Sequence, residues 1–224
     1  MTPKLIIGNK NYSSWSLRAW LLMREAGIAF DEHRIALDVE STAAEIAAVT
    51  PAGTVPVLQL GGLTVWDTLA IAETVAERWP EAGLWPEDAD VRAHARSIAA
   101  EMHAGFAVLR NSMPMNCRAM GRKVPLPDPL AREIDRVFAI WSDCFRRYGR
   151  YDRDGQGHGW LFGKFSVADA MYAPVVLRFR TYGINLPESA LHYPRRLLQS
   201  VAMQEWLAAA ETETEVIEKD EIGQ

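Results

Sequence analysis

A proline inside an otherwise strand-like run sets the first constraint on this chain. Thr54-Val55-Pro56-Val57-Leu58-Gln59-Leu60 has the aliphatic, β-branched make-up of a buried strand. Proline lacks a backbone N–H and is confined to edge strands, bulges or the first residue of a strand. The strand is therefore expected to begin at Pro56, with a sharp bend at the Val55–Pro56 bond, and a cis X–Pro bond marks such tight turns. A bend there leaves the backbone of Val55 outside the ladder, free to pair with an extended ligand. A second short strand follows over residues 63–66, and Asp67-Thr68 opens a helix. Together these features point to a site that grips something peptide-like.

The chain alternates around that bend. Residues 4–8 read as a strand and 14–26 as a helix, with Trp15, Ala19, Leu22, Met23 and Ala26 on one face and Gly27 as its stop. Residues 29–36 read as a strand whose charges mark an edge, and 40–49 as a helix. Residues 55–60 and 63–66 are strands joined through Gly61-Gly62, a tight-hairpin signal. Residues 68–79 form a helix that Pro80 ends. The order βαβαββα predicts a small open α/β sheet whose last two strands form a hairpin. Beyond a linker at 81–86 only helical patterns occur: a single long helix over 89–113, then 130–148, 166–182 and 199–211. The expected organisation is an α/β domain over 1–80, an all-helical domain over 87–212 and a solvated acidic tail over 213–224.

Composition narrows the functional classes. With 224 residues, 49% hydrophobic and a net charge of −5, the chain builds a full core and carries no charge signature of a nucleic-acid binder. No apolar run approaches the roughly 18–20 residues that span a membrane. The start, Met1-Thr2-Pro3-Lys4, has no secretion-signal pattern, and Cys117 and Cys144 are the only cysteines, so a cytoplasmic protein is expected. The histidines (His33, His94, His103, His158, His192) have no metal-ligand spacing, and no bound metal is expected. Residues 148–159 read as a flexible loop. Its Asp152-Arg153-Asp154-Gly155 starts like a calcium loop, but Gly163 stands where the last acidic ligand belongs.

Three helix starts carry chemistry or caps. Ser13, Ser14 and Ser16 open the first helix; serines there serve as N-caps. The same position stabilises a thiolate, through unpaired N–H groups, partial positive charge and a hydroxyl donor. Asp67-Thr68 caps the third helix and also suits a ligand bearing an ammonium and a carboxylate. Ser166-Val167-Ala168-Asp169 is a capping box whose serine is worth on the order of 1 kcal/mol. Arg118, Arg122 and Lys123 form a basic group, read either as a solvated turn or as an attractor of anionic substrates.

These features in this order resemble the cytosolic glutathione transferases, with their thioredoxin-like βαβαββα domain followed by a helical bundle domain. The resemblance rests on Tyr12-Ser13-Ser14-Trp15-Ser16-Leu17-Arg18, Pro51-Ala52-Gly53-Thr54-Val55-Pro56-Val57-Leu58, Asp67-Thr68 and Ser166-Val167-Ala168-Asp169, and it covers nearly the whole chain. Within the family the serine motif is similar to serine-type, zeta-like bacterial members. The resemblance implies glutathione as co-substrate, with its sulfur on Ser13 or the neighbouring Ser14. It implies the cysteinyl backbone against Val55 beside Pro56, and the γ-glutamyl end on Asp67 and Thr68. It further implies a small electrophile against Tyr12, Trp15, His103, Phe106, Arg110 and Met113, a detoxification role and a homodimer. Zeta members carry a cysteine where Trp15 stands, which sets glutathione-dependent isomerisation apart as a second reading. The same fold also serves thiol-disulfide or peroxide reductases and non-catalytic glutathione-binding modules.

Overall fold

The computed structural model describes residues 2–149 and 159–223. The calcium-like residues 152–155 and His158 lie outside the described residues.

Four strands form one mixed sheet: β1 (Lys4–Ile7), β2 (Asp31–Arg34), β3 (Val57–Leu60) and β4 (Leu63–Trp66), in the order β2-β1-β3-β4. Only β1 and β2 run parallel; β3 is antiparallel to both β1 and β4. The expected edge strand is β2, and its four side chains are all exposed. Side chains alternate across the sheet. Leu5, Ile7 and Leu58 enter the main core beneath α1 (Ser14–Glu25) and α3 (Thr68–Arg78). Ile6 and Val57 point the other way, into a small cluster with Ile35 and with Ile46 of α2 (Thr42–Ala47).

Helices follow: α4 (Ala89–Ala104), α5 (Ala107–Ser112), α6 (Asp128–Tyr148), α7 (Val167–Thr181), α8 (His192–Leu198) and α9 (Val201–Thr212). Helix α7 is apolar nearly all round and correspondingly buried, as a helix must be when it lacks a polar face. It packs against α1 on one side and α4 on the other.

The single long helix expected over 89–113 is two helices. Gly105 and Phe106 break it, with Phe106 at φ 56. A Cβ on Gly105 would lie 2.8 Å from the Glu101 carbonyl oxygen, so only glycine fits that turn. The new helix start is capped from outside: the Glu133 carboxylate accepts from Val108 N at 3.4 Å and Leu109 N at 2.7 Å. Helix α8, which carries Pro194, was not expected. That proline sits in the first turn, where its missing N–H has no intrahelical partner to lose. The expected solvated tail is also corrected. Ile217 is buried, and acidic side chains of the tail fold back onto the loop between β1 and α1.

The capping box at the start of α7 is present as the sequence requires. Asp169 is fully buried and accepts from Ser166 N at 2.9 Å, Ser166 Oγ at 2.9 Å and Leu161 N at 3.1 Å. Burial pushes its carboxyl up to about 7, against the downward pull of those hydrogen bonds. A folded-state value above the ordinary 3.8 means that folding favours the protonated form. That stabilisation is complete below the ordinary value and is lost as pH rises through about 7. Urea unfolding of the wild type and Asp169→Asn from pH 5 to 8 will therefore show the wild type losing roughly 2–3 kcal/mol relative to the variant as pH rises. A constant difference would contradict the assignment.

Candidate functional site

The register of the sheet gathers the expected site residues at one end. Val57 pairs with Ile6 on one side and Trp66 on the other. The C-terminal end of β1, the N-terminal end of β3 and the C-terminal end of β4 therefore lie side by side. Ser13 follows the first, Val55-Pro56 precedes the second and Asp67-Thr68 follows the third.

Each of these residues has a definite local conformation. The Val55–Pro56 bond is cis. The ladder starts at Val57, leaving the Val55 backbone outside it. Asp67, at φ 72, caps α3: its Oδ1 accepts from Leu69 N at 2.9 Å and Ala70 N at 3.3 Å. Its Oδ2 lies 3.1 Å from His103 Nε2 on α4. Thr68 is buried at the first turn of α3.

Ser13 stands at the N-cap position of α1, but no serine hydroxyl caps that helix, contrary to the sequence expectation. The Ser13 and Ser16 hydroxyl oxygens lie 2.7 Å apart, and Ser16 Oγ accepts from Gly8 N at 3.0 Å. Ser14 Oγ accepts from Arg178 Nη2 of α7 at 3.2 Å. Among the described residues no acceptor takes the N–H of Trp15 or Ser16. The positive end of α1 thus keeps donors free beside two serine hydroxyls.

Trp15, His103 and Arg110 come together. His103 meets Trp15 edge-on with ring centroids 5.2 Å apart. The guanidinium carbons of Arg18 and Arg110 lie 4.3 and 5.3 Å from the Trp15 ring centroid. Three other residues take different places. Tyr12 turns to the C-terminal segment, its hydroxyl donating to Glu221 at 2.7 Å and accepting from Arg118 at 3.1 Å. Met113 is fully buried, its carbonyl held by Arg178. Phe106 is buried where the chain breaks between α4 and α5.

Sequence reasoning missed the buried arginines as a group. Arg18 and Arg178 are buried, and no described carboxylate lies within salt-bridge distance of Arg18, Arg110 or Arg178. Arg18 Nη2, Arg110 Nε and Arg178 Nε are buried without a partner. Burial, then the neighbouring Arg178 and Arg110, hold the Arg18 guanidinium well below its ordinary value. One signal was available: Arg178 interrupts the apolar run Val175-Val176-Leu177-Arg178-Phe179. A cavity of about 470 Å³ lies elsewhere, lined by Lys10, Trp20, Arg24, Phe30, Glu32, Glu205 and Ala208. Among the described residues no group of three metal-ligating side chains occurs, and no helix is long and apolar enough to cross a membrane.

A βαβαββα sheet unit with a bend before β3, followed by an all-helical part, defines a thioredoxin-like domain joined to a helical region. Residues 12–78 match the glutathione S-transferase N-terminal domain. A probable maleylacetoacetate isomerase of Caenorhabditis elegans is 30% identical over 98 residues, 44% of this chain and 45% of that protein. The match thus spans less than half the length of this relative. A glutathione transferase homolog from Burkholderia, solved with bound glutathione, superposes with a TM-score of 0.67 at 20% identity, covering 95% of this chain and 100% of the other. A glutathione transferase from Methylococcus capsulatus superposes with a TM-score of 0.66 at 24% identity, covering 94% and 99%. These two likenesses establish the fold. Residues 12–78 are thus similar to a glutathione S-transferase N-terminal domain, and the chain as a whole has the fold of these solved glutathione transferases.

The cysteines are placed for packing. Cys117 and Cys144 are buried, and burial pushes each thiol up to about 12. Cys117 Sγ donates to the Lys10 carbonyl at 3.4 Å. An aromatic disulfide reagent at pH 8 is expected to label neither thiol in the native protein and both after unfolding. Rapid native labelling would contradict this placement.

Proposed function

We propose that this chain binds glutathione at the sheet end described above and transfers its thiolate to small electrophilic compounds. The observation that carries the reading is the open N-terminus of α1, with the Ser13 hydroxyl beside it, at the same sheet end as Val55 and Asp67-Thr68. In this reading the extended cysteinyl backbone of the ligand pairs with Val55, and the Thr68 N–H end of α3 receives the γ-glutamyl carboxylate. Asp67 serves the γ-glutamyl ammonium. Residues 1–80 form the glutathione-binding unit and 87–212 the second-substrate unit, with Trp15, His103 and Arg110 on the wall between them.

The energetics are sufficient. A free thiol with pKa ~8.5 needs about 2.7 kcal/mol of preferential thiolate stabilisation to fall by ~2 units. One charge-assisted hydrogen bond of roughly 1.5–3 kcal/mol and a helix-end contribution near 0.3–1 kcal/mol supply it. A hydroxyl both donates and accepts. With sulfur bound, Ser13 donates to the thiolate, Ser16 donates to Ser13, and the Gly8 N–H feeds Ser16. The thiol proton leaves to solvent, and the sulfur lone pair forms the new C–S bond as the leaving group departs.

A second reading is isomerisation of an acidic substrate with glutathione as catalyst. The cluster of Arg18, Arg110 and Arg178 around Trp15 and Ser14, without a carboxylate among its described neighbours, favours it. Burial of both cysteines weighs against a reductase. The protein is further proposed to be cytoplasmic and to act as a homodimer, with Trp66 and Leu63 of β4, 44% and 43% exposed, as apolar contacts.

Ser13→Ala should lower kcat/KM for conjugation of a chlorinated nitroaromatic by about 10²-fold or more, in line with losing a donor to developing charge. Glutathione binding by calorimetry should weaken far less. Wild-type turnover in that variant would overturn the assignment of Ser13.

A further inference from the structure

The loop between β1 and α1 is held in large part by residues distant in sequence. Lys10 N donates to Glu213 Oε1 at 2.7 Å and Asn11 N to Glu213 Oε2 at 2.9 Å. Glu213 directly follows α9, and its side chain is only 6% exposed. One carboxylate thus takes both outward-facing N–H groups of the loop. The next two N–H groups, of Tyr12 and Ser13, turn inward to the Asn9 carbonyl at 3.3 and 2.8 Å. Further along the segment, Glu221 accepts from the Tyr12 hydroxyl and from Asn116 Nδ2, each at 2.7 Å, and pairs with Arg122. Arg118 closes the arrangement by donating to the carbonyls of Glu213 and Glu215 and to the Tyr12 hydroxyl.

A loose acidic tail has no reason to bury a carboxylate against two backbone amides. Ordering such a segment costs conformational entropy, which the two carboxylate anchors offset. The anchors are spaced so that Glu213 fixes the start of the loop and Glu221 fixes Tyr12, the residue before Ser13.

We propose that residues 213–223 form a strap whose task is to position the Ser13 loop for the glutathione sulfur, with Glu213 and Glu221 as positioning residues. The inference rests on the reading of Ser13 given above. The carboxylates touch neither glutathione nor the reacting atoms. They act by fixing where the Ser13 hydroxyl and the N–H groups of the α1 start point. Displacement of that start by a fraction of an ångström weakens the hydrogen bond to sulfur, and with it the fraction of thiolate.

The test is Glu213→Gln in the full-length protein, with thiolate absorbance of bound glutathione followed against pH. A glutamine accepts from one amide, but its NH₂ group opposes the other. The expected result is a rise of about one unit in the apparent thiol pKa, a tenfold loss of thiolate well below that pKa. The acidic limb of kcat/KM should move with it, while KM for glutathione changes less than kcat. Tyr12→Phe, which removes only the hydroxyl contact to Glu221, should move the same limb in the same direction by a smaller amount. It decides the matter if Glu213→Gln fails to fold. Ser13→Ala serves as the reference. If Ser13→Ala shifts the thiol pKa and both strap variants titrate like wild type, the strap inference fails alone. If Ser13→Ala itself titrates like wild type, the reading of Ser13 fails.

Discussion

Helix α1 is clamped from both sides, and the geometry of the site follows from that clamp. Every residue from Ser16 to Met23 is buried, so the helix has no solvent face along most of its length. Leu17 and Leu21 belong to the core shared with the sheet, while Trp20 meets Trp206 of α9 with ring centroids 5.3 Å apart. Arg18 Nε donates to the Met171 carbonyl of α7 at 2.9 Å. Each fully buried large aliphatic side chain is worth about 1.5–3 kcal/mol, so sliding α1 against either layer is costly. The N-terminus of the helix, with Ser13 and its free N–H groups, is therefore held still relative to the bend at Val55-Pro56 and to Asp67. A site of this kind works by pre-positioned donors and needs that rigidity.

Charge is arranged around the same helix end in two layers. Beside Ser14 and Trp15 lie Arg18 and Arg178, cations with carbonyl and hydroxyl partners in place of carboxylates, and Arg110, whose guanidinium stacks over the Trp15 ring. Burial, outweighing the help of nearby Tyr182, brings Arg178 down to about 10. Behind the loop lie the carboxylates of Glu213 and Glu221. Burial raises Glu221, yet the hydrogen bonds from Tyr12 and Asn116 and the charge of Arg122 outweigh it and hold Glu221 below its ordinary value. The negative charges thus meet backbone amides and the Arg122 guanidinium, and the positive charges gather around Ser14 and Trp15.

What was legible in the sequence was what is local. Pro56 dictated where β3 starts, Gly61-Gly62 placed the hairpin, and Ser166-Val167-Ala168-Asp169 announced its capping box, because each needs only neighbours in the chain. The break at Gly105-Phe106 was not legible, because the carboxylate that caps α5 comes from Glu133 on α6, 24 residues from Leu109. The C-terminal segment read as solvated because its acidic residues have no local partners; the Glu213 carboxylate meets an amide 202 residues away. Tyr12 was assigned to the substrate wall for the same reason, since its partner Glu221 lies 209 residues off. Met113 shares the helical spacing of His103, Phe106 and Arg110, but the helix stops beside it, its side chain is buried and Arg178 takes its carbonyl. Trp15, His103 and Arg110 lie together because the start of α1, the end of α4 and α5 come close to one another.

The most direct measurement is a crystal structure of the full chain soaked with glutathione. The expected result places the sulfur within about 3.5 Å of Ser13 Oγ, the cysteinyl backbone paired antiparallel with Val55 and the γ-glutamyl end at Asp67 and Thr68. Glutathione bound with its sulfur away from Ser13, or a sheet end that stays empty at saturating glutathione, would contradict it.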